Sequence, residues 1–380
     1  MPIPTPYYRK ALLMYIRQAV AVCVALFMIA SASQSVWAQD EAPQQAPQAP
    51  QFSENELNDI RLLQASIEAV RMGTEPAPAQ FPLAWVHEIF ITQFDGTTAV
   101  YFTLGIDRSQ LSTASVSMYV RAYDKSVSET DEADPEADPE AVMVDPYAWS
   151  DVRFFEVPDD GYVMGSMAVP PGENEVFIAI KEASTGAEDE VTKISLLRHD
   201  LNAPNFSSPD NQLAMSSFMV GELEMKQPAA TRVWDRHVIL NQLHVRPKLD
   251  SSFTKADSLL LFFFIYGGQL TAMEQPDLQT SGQFYRVSPE GEETPFANPI
   301  TQAYDPEVLA KTGEYSGQVP AQFGEIGFEK FSAGDFRLEM TVTDMTNDTM
   351  ITQDFKFSVR EISSEDEEGN TDEDSLESAQ

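Results

Sequence analysis

The sequence predicts a mainly β protein with two tandem immunoglobulin-like or fibronectin-like β-sandwich domains, preceded by a signal peptide, a disordered tether and one short helix. Three observations predict this fold class. Apolar and polar residues alternate with period two in segment after segment from residue 81 to residue 359. No long amphipathic helix separates these segments, which argues against a βαβ architecture. A glycine-led strand motif also occurs twice, at Gly172 and Gly334.

Residues 1–38 have the composition of a secretory signal peptide. Three basic residues flank or precede an apolar run over residues 19–32, and small side chains at Val36 and Ala38 fit a cleavage site before Gln39. The run is shorter than the about 20 residues that a membrane-spanning helix needs. We therefore expect export to the periplasm or the extracellular space with no transmembrane span after cleavage, and an uncleaved anchor is the alternative.

The charge of the chain limits its partners. It has 380 residues, 60 of them acidic and 24 basic, and a net charge of −36. A surface this acidic repels phosphate backbones, so we expect no nucleic-acid partner. The only cysteine, Cys23, lies in the signal peptide, so the mature chain has no disulfide, which favours a bacterial envelope over an animal extracellular space.

One amphipathic helix is predicted between the tether and the first sandwich. Residues 39–52 are rich in Pro, Gln and Ala, as in extended linkers. Ser53 and Glu56 then have the spacing of a capping box, and the helix is expected over residues 53–73. This helix either packs on its own first domain or docks a partner. Its apolar stripe consists of Leu57, Ile60, Leu63, Ile67 and Val70.

The two sandwiches are expected over residues 81–201 and 212–362, with an acidic loop at 129–145 and an acidic disordered tail at 363–380. Residues 259–266 are apolar at every position, as in a central strand covered on both faces. We assign Phe264 to the core, so that Phe264→Asp is expected to abolish folding. His237 and His244 are placed on one strand over residues 237–245, where an odd separation directs them to opposite faces.

The two halves share a motif in which a glycine turn leads into an alternating strand that ends at an acidic residue. Gly172 and Glu182 bound the first copy, and Gly334 and Asp344 bound the second. The offset is a constant 162 residues between the two glycines and between the two acidic residues. The repeat predicts two copies of one architecture.

Several segments resemble a known family. Residues 331–359 resemble the closing hairpin of bacterial secreted sandwich modules, and PPGENEVFIAIKE, SSFMV at Ser216 and FFFIYGG are similar to the tandem β-sandwich region of acidobacterial-type exported proteins. Some of those proteins carry a GWxTD motif, which is absent here. The resemblance covers roughly residues 81–362 and implies the fold, and it transfers no catalytic residue.

No motif indicates an enzyme. The sequence lacks GxxxxGK, GxGxxG, HExxH, CxxC and GxSxG patterns. We therefore expect no catalytic residue, no metal and no cofactor, and favour an interaction or scaffold module with an unknown envelope protein as partner. A carbohydrate-binding module is the alternative, with Trp85, Trp149 and Trp234 as glycan contacts. A hydrolase that uses His237 or His244 is less favoured.

Overall fold

The computed structural model describes residues 52–93, 95–127, 147–184, 192–206, 212–224, 238–240, 243–311 and 315–361. The expected signal peptide, nearly all of the tether, the acidic loop and the acidic tail lie outside these ranges. Trp234 and His237 lie outside them as well. What the sequence predicts for these parts stays a prediction.

The described residues form two α-helices and nineteen β-strands. The helices are α1 (Glu54–Arg71) and α2 (Pro306–Leu309). The strands of the first half are β1 (Leu83–Thr92), β2 (Thr98–Ile106), β3 (Ser115–Asp124), β4 (Tyr147–Glu156), β5 (Tyr162–Val169), β6 (Gly172–Glu182) and β7 (Ile194–Ala203). Those of the second half are β8 (Ala214–Met215), β9 (Met219–Glu224), β10 (Val238–Leu240), β11 (Leu243–Pro247), β12 (Ser252–Thr254), β13 (Ser258–Tyr266), β14 (Leu278–Val287), β15 (Glu293–Pro295), β16 (Ile300–Tyr304), β17 (Gln318–Gly327), β18 (Gly334–Asp344) and β19 (Thr349–Arg360).

The first sandwich packs a three-stranded sheet on a four-stranded sheet. The strand orders are β1-β2-β5 and β4-β3-β6-β7, and all pairs are antiparallel. Alternation along each strand turns one set of side chains into the space between the sheets, where Phe102, Val120 and Ile178 are buried. This is the two-layer arrangement of immunoglobulin-like and fibronectin-like domains.

The second sandwich has the same two layers with extra strands at their edges. Its sheets have the orders β10-β11-β9-β13-β17 and β12-β19-β18-β14-β15, to which β8 and β16 add by pairing with β13 and β14. The core contains many phenylalanine rings, among them Phe284 and Phe323. A Cβ atom at Gly282 of β14 would lie 2.3 Å from Cζ of Phe323 of β17, so only glycine lets this ring pack so closely on the backbone of the facing sheet.

The predicted repeat is confirmed in the strand pairing. Strand β6 lies between β3 and β7, and β18 lies between β14 and β19. Both strands are eleven residues long. Their first residues, Gly172 and Gly334, have φ angles of 118° and 144°, a backbone conformation that favours glycine. The two halves of the chain therefore repeat one sandwich architecture.

The helix prediction is also confirmed. Ser53 is the N-cap of α1, its hydroxyl accepts the backbone N–H of Glu56, and the Glu56 carboxylate accepts the backbone N–H of Ser53. Both bonds of the capping box are thus present. The helix ends at Arg71, and Gly73 follows with a φ of 68°.

Some strand predictions were wrong in detail. Strand β17 was not predicted, because Pro320 and Gly324 interrupt its pattern, and both residues are tolerated since β17 is an edge strand. In the same sandwich, residues 216–218 separate the short strands β8 and β9, which do not form one continuous strand. The single strand expected over 237–245 is an antiparallel pair, β10 and β11, so His244 lies on the second strand of that pair.

Candidate functional site

Helix α1 covers the outer face of the four-stranded sheet of the first sandwich. Leu63 and Ile67 are fully buried there, and Val70 is buried beside them. They pack on Tyr119 of β3 and Phe177 of β6, with Ala179 and Leu196 completing the cluster. The helix therefore packs on its own first domain, which is the first of the two interpretations of its apolar stripe.

A buried ion pair holds the first half of α1 on the same sheet. Lys181 Nζ of β6 lies 2.7 Å from Asp59 Oδ1, and each side chain is only 4% exposed. Ser117 and Ser184 donate to the same carboxylate at 2.8 Å each. Burial raises the pKa of Asp59, but the hydrogen bonds from Lys181, Ser184 and Ser117 outweigh it and lower the pKa below its usual value. The carboxylate is thus fully bonded in its charged form.

The predicted docking residues are divided between the contact and the surface. Leu63, Ile67 and Val70 lie in the contact with the sheet, where a partner would have to displace the helix to reach them. Leu57 is exposed and Ile60 is half-buried. The surface of α1 thus presents Leu57 together with Leu62, which was not singled out from the sequence and is also exposed.

The two tryptophans in the described ranges take part in the packing of the first sandwich. Trp85 is half-buried, with its ring stacked on Phe102 at 5.0 Å and on His199 at 4.2 Å between centroids. Its indole Nε1 donates to Glu88 Oε2 at 3.0 Å. Trp149 is half-buried and packs against the same core. Phe102 and His199 thus occupy the faces of the Trp85 ring on which a sugar would have to stack.

The two sandwiches contact each other through the outer faces of equivalent sheets, at β1-β2-β5 in the first and at β11-β9-β13 in the second. We call this contact the junction. Its side chains are apolar and come from both halves of the chain, so that each sheet removes the other from water. The buried members are Ile89, Ile91, Met164, Met219, Val245 and Phe262, and Tyr101, Leu260 and Phe264 pack around them.

Hydrogen bonds accompany the apolar contact of the junction. The Phe90 backbone N–H donates to Ser217 Oγ at 3.0 Å, and the Ser217 N–H donates back to the Phe90 carbonyl at 3.3 Å. The Thr92 N–H donates to the hydroxyl of Tyr266 at 3.1 Å. Burial raises the pKa of Tyr266, which keeps this hydroxyl protonated. These bonds satisfy backbone groups of the edge strand β1 and set its register against the second sandwich.

Strand β13 is covered on both faces, as the sequence predicts. Phe263 and Ile265 face the core of the second sandwich, whereas Phe262 and Phe264 face the first sandwich. The assignment of Phe264 to the core was therefore wrong. Its ring is half-buried in the junction, because the alternation of a strand directs neighbouring residues to opposite faces.

A cleft of about 140 Å³ lies at the margin of the junction. At its base Thr103 is 1% exposed, and its hydroxyl has no hydrogen-bond partner in the described part of the chain. A buried hydroxyl in this state is a candidate for a bound water or ligand. The other lining residues are Asp160, Tyr162, Met164, Arg246, Pro247 and Leu249.

His87 lies beside Thr103 on the neighbouring strand, and its ring is half-buried. Burial lowers the pKa of His87, although Glu88 acts in the opposite direction.

Within the described ranges, no group of three or more His, Cys, Asp or Glu side chains is placed to hold a metal ion. Neither helix of the described ranges combines the length and the apolarity that a bilayer crossing demands.

No protein-family model matches the chain, and no curated protein matches it. Among solved structures, the Escherichia coli alpha-2-macroglobulin activated by porcine elastase is 11% identical with a TM-score of 0.22, over 76% of this chain and 22% of that one. The native conformation of the E. coli protein is 11% identical with a TM-score of 0.22, over 74% of this chain and 17% of that one. Red sea bream transglutaminase is 10% identical with a TM-score of 0.19, over 77% of this chain and 33% of that one. The chain thus spans a third or less of each of these proteins, and likenesses this remote carry no information on activity.

The junction is the feature that residue patterns missed. The sequence of β13 does indicate that such a contact exists, because only one of its two apolar faces can be buried in the core of the second sandwich and the other must be covered by a different surface. Ile89 and Ile91 of β1 supply part of that cover, and they alternate with residues that face the first core. A one-dimensional pattern marks both faces as apolar, but it does not say that they meet.

Proposed function

We propose that this chain is an exported, non-enzymatic protein of the bacterial envelope that acts as an interaction or scaffold module. The observation that carries the proposal is the junction. Two sandwiches that are joined by an apolar face and by backbone hydrogen bonds present their loops and edges in one fixed arrangement. A fixed arrangement lowers the ordering cost when a partner binds across both sandwiches.

The acidic character of the surface supports the same proposal. The net charge of −36 steers basic partners toward the protein and repels acidic ones. Exposed charge of one sign also keeps an exported protein soluble at high concentration. The partner we expect is therefore another envelope protein with a basic binding surface.

Export can be tested separately from binding. Residues 1–38 are fused to an alkaline phosphatase that lacks its own signal, since this enzyme becomes active only after export. We expect phosphatase activity, together with a mature form of the full-length chain whose mass corresponds to a start at Gln39. An inactive fusion would contradict the envelope location.

The interaction role is tested with the complete mature chain. A tagged protein is crosslinked in an envelope extract of its own organism, captured and identified together with its partner, and the complex is then rebuilt from the two purified proteins. We expect co-elution in gel filtration at a fixed stoichiometry that weakens as salt is raised. Failure of every captured protein to rebuild a complex would contradict the proposal.

A second candidate function, binding of a small saccharide, is favoured by the cleft at the margin of the junction. The Thr103 hydroxyl, the Arg246 guanidinium and the Asp160 carboxylate supply both donors and acceptors, and the half-exposed ring of Tyr162 borders them. Titration calorimetry with a panel of monosaccharides tests this candidate. A heat of binding that is lost in Thr103→Val supports it, and no heat with any sugar argues against it.

A further inference from the structure

Two loops at one end of the second sandwich expose large apolar side chains. The loop over residues 267–277 connects β13 to β14, and the segment over residues 344–350 contains the turn between β18 and β19 together with the strand residues that flank it. Together they present a surface that we call the apolar tip, although polar residues are the usual choice for such turns. Its members are Leu270, Met273, Met345 and Met350, which are 43–66% exposed.

The two loops lie side by side because they share hydrogen bonds. The Met345 backbone N–H donates to the Asp277 carbonyl at 2.8 Å. The Gln269 backbone N–H donates to Asp344 Oδ2 at 2.6 Å, and this carboxylate is buried at the end of β18. The exposed residues of both loops therefore form one surface.

Each loop also holds its own shape. The Thr271 backbone N–H and its hydroxyl both donate to the Gln275 carbonyl, at 2.9 and 2.8 Å. Glu274 and Asp348 have φ angles of 56° and 59°, a conformation that costs free energy for residues other than glycine. A strained backbone conformation persists only where the contacts of the surrounding structure enforce it, and such conformations are frequent at binding sites.

The charged side chains of the two loops have one sign. Residues 267–277 and 344–350 contain no basic side chain, and of their four acidic ones Glu274 and Asp348 are exposed, Asp277 is half-buried and Asp344 is buried. An acidic rim around an apolar centre matches a binding surface that has apolar side chains surrounded by Lys or Arg. The same rim disfavours the anionic surface of a bilayer.

We infer that the apolar tip is the docking surface for a basic polypeptide segment that packs apolar side chains against the exposed side chains of the two loops. This inference rests on the proposed interaction function and adds the surface and the chemistry of the partner. Methionine suits the role because its flexible thioether adapts to apolar groups of varied shape. The preformed loops lower the conformational entropy that binding must overcome.

The test uses the complete mature chain and two synthetic amphipathic helical peptides of equal length. Both peptides have the same leucine face, and the polar face is lysine in one and glutamate in the other. Brief peroxide treatment followed by mass spectrometry measures sulfoxide formation at each methionine, which depends on exposure. Met72 next to α1 is the internal control, because it is 66% exposed, as Met350 is.

We expect the lysine peptide to slow oxidation of Met273, Met345 and Met350 and to leave Met72 unchanged, and we expect no protection by the glutamate peptide. Met273→Ser combined with Met350→Ser should weaken binding of the lysine peptide about tenfold. The matched variant, Leu57→Ser with Leu62→Ser, removes two exposed leucines from α1 and should leave the affinity unchanged.

Four outcomes would overturn the inference. Equal protection of Met72 would mean that the peptide binds anywhere on the acidic surface through net charge alone. Unchanged affinity in the methionine variant would lead to the same conclusion. Stronger binding to phosphatidylcholine vesicles than to the peptide would assign the tip to a lipid surface. If the native partner binds the methionine variant normally, the inference fails while the proposed function stands.

Discussion

Glu182 and Asp344 occupy the same position in the two sandwiches, 162 residues apart in the chain. Each is the last residue of a central strand, and they are 2% and 1% exposed. The Glu182 carboxylate accepts the backbone N–H groups of Ser112 and Lys193, at 2.5 and 2.9 Å. The Asp344 carboxylate accepts those of Gln269 and Thr346, at 2.6 and 2.9 Å. The acidic residue that ends each repeat therefore holds the loops at one end of its sandwich.

This relationship predicts a matched effect of substitution in the two halves. Glu182→Ala and Asp344→Ala each leave two loop N–H groups without their acceptor, which should cost about 1–3 kcal/mol of unfolding free energy per variant. Urea unfolding followed by circular dichroism measures the loss. Glu173→Ala and Asp335→Ala are the controls, since these exposed residues are also 162 positions apart and should change the free energy by less than about 0.5 kcal/mol.

The buried pair of Asp59 and Lys181 predicts a large asymmetry between single and double variants. Lys181→Met leaves an uncompensated buried carboxylate and should destabilise the first sandwich by about 3–5 kcal/mol. Asp59→Leu combined with Lys181→Met should recover most of this loss, because an apolar pair carries no desolvation penalty. Lys255→Met, which removes an exposed ion pair with Glu361, should cost at most about 1 kcal/mol. Equal losses in Lys181→Met and Lys255→Met would contradict the buried role.

The lowered pKa of Asp59 predicts acid sensitivity of the α1 contact. The folded state holds the carboxylate in its charged form more strongly than the unfolded chain does. The resulting stability is present above the unfolded pKa of about 3.9 and is lost as the pH falls through the lower folded value. The difference in unfolding free energy between the wild type and Asp59→Asn should therefore shrink as the pH is lowered below about 4. A difference that stays constant down to pH 2 would exclude this linkage.

His87 predicts a second pH dependence at a higher pH. Because burial lowers the pKa of this imidazole, the unfolded chain takes up a proton near pH 6.5 while the folded protein stays neutral. Stability should thus decrease as the pH falls from about 6.5 toward the folded pKa, and His87→Gln should remove that part of the decrease. Thermal unfolding at pH 8 and at pH 5.5 measures it. The substitution has no such pH-dependent effect if the ring is solvated.

Substitutions at two neighbouring phenylalanines of β13 should affect the core and the junction separately. Phe263→Asp places a charge in the core of the second sandwich and should prevent that sandwich from folding. Phe264→Asp places it in the half-buried junction and should leave both sandwiches folded while they unfold independently. Calorimetry should show one transition for the wild type and two for Phe264→Asp. Loss of all folded structure in Phe264→Asp would contradict the assignment of this residue to the junction and would show that the core depends on it.

Much of the fold is predictable because it depends on local patterns. Alternation of apolar and polar residues predicts strands in both halves of the chain, and the spacing of Ser53 and Glu56 predicts the start of α1. Strand β17 escaped prediction because Pro320 and Gly324 remove the local signal, although Val319 and Phe323 are buried against β13. Edge strands tolerate such residues, so the pattern of an edge strand is the weakest.

Residue patterns are sufficient to predict the two-sandwich architecture, the repeat that relates Glu182 to Asp344, and the apolar character of both faces of β13. Period, spacing and turn residues are properties of neighbouring positions, and a linear chain displays them directly. The folded structure is needed to show that Asp59 pairs with Lys181, that Phe262 contacts the first sandwich, and that two methionine-bearing segments lie together. These contacts join residues far apart in the chain, and they depend on which surfaces come together when the layers pack.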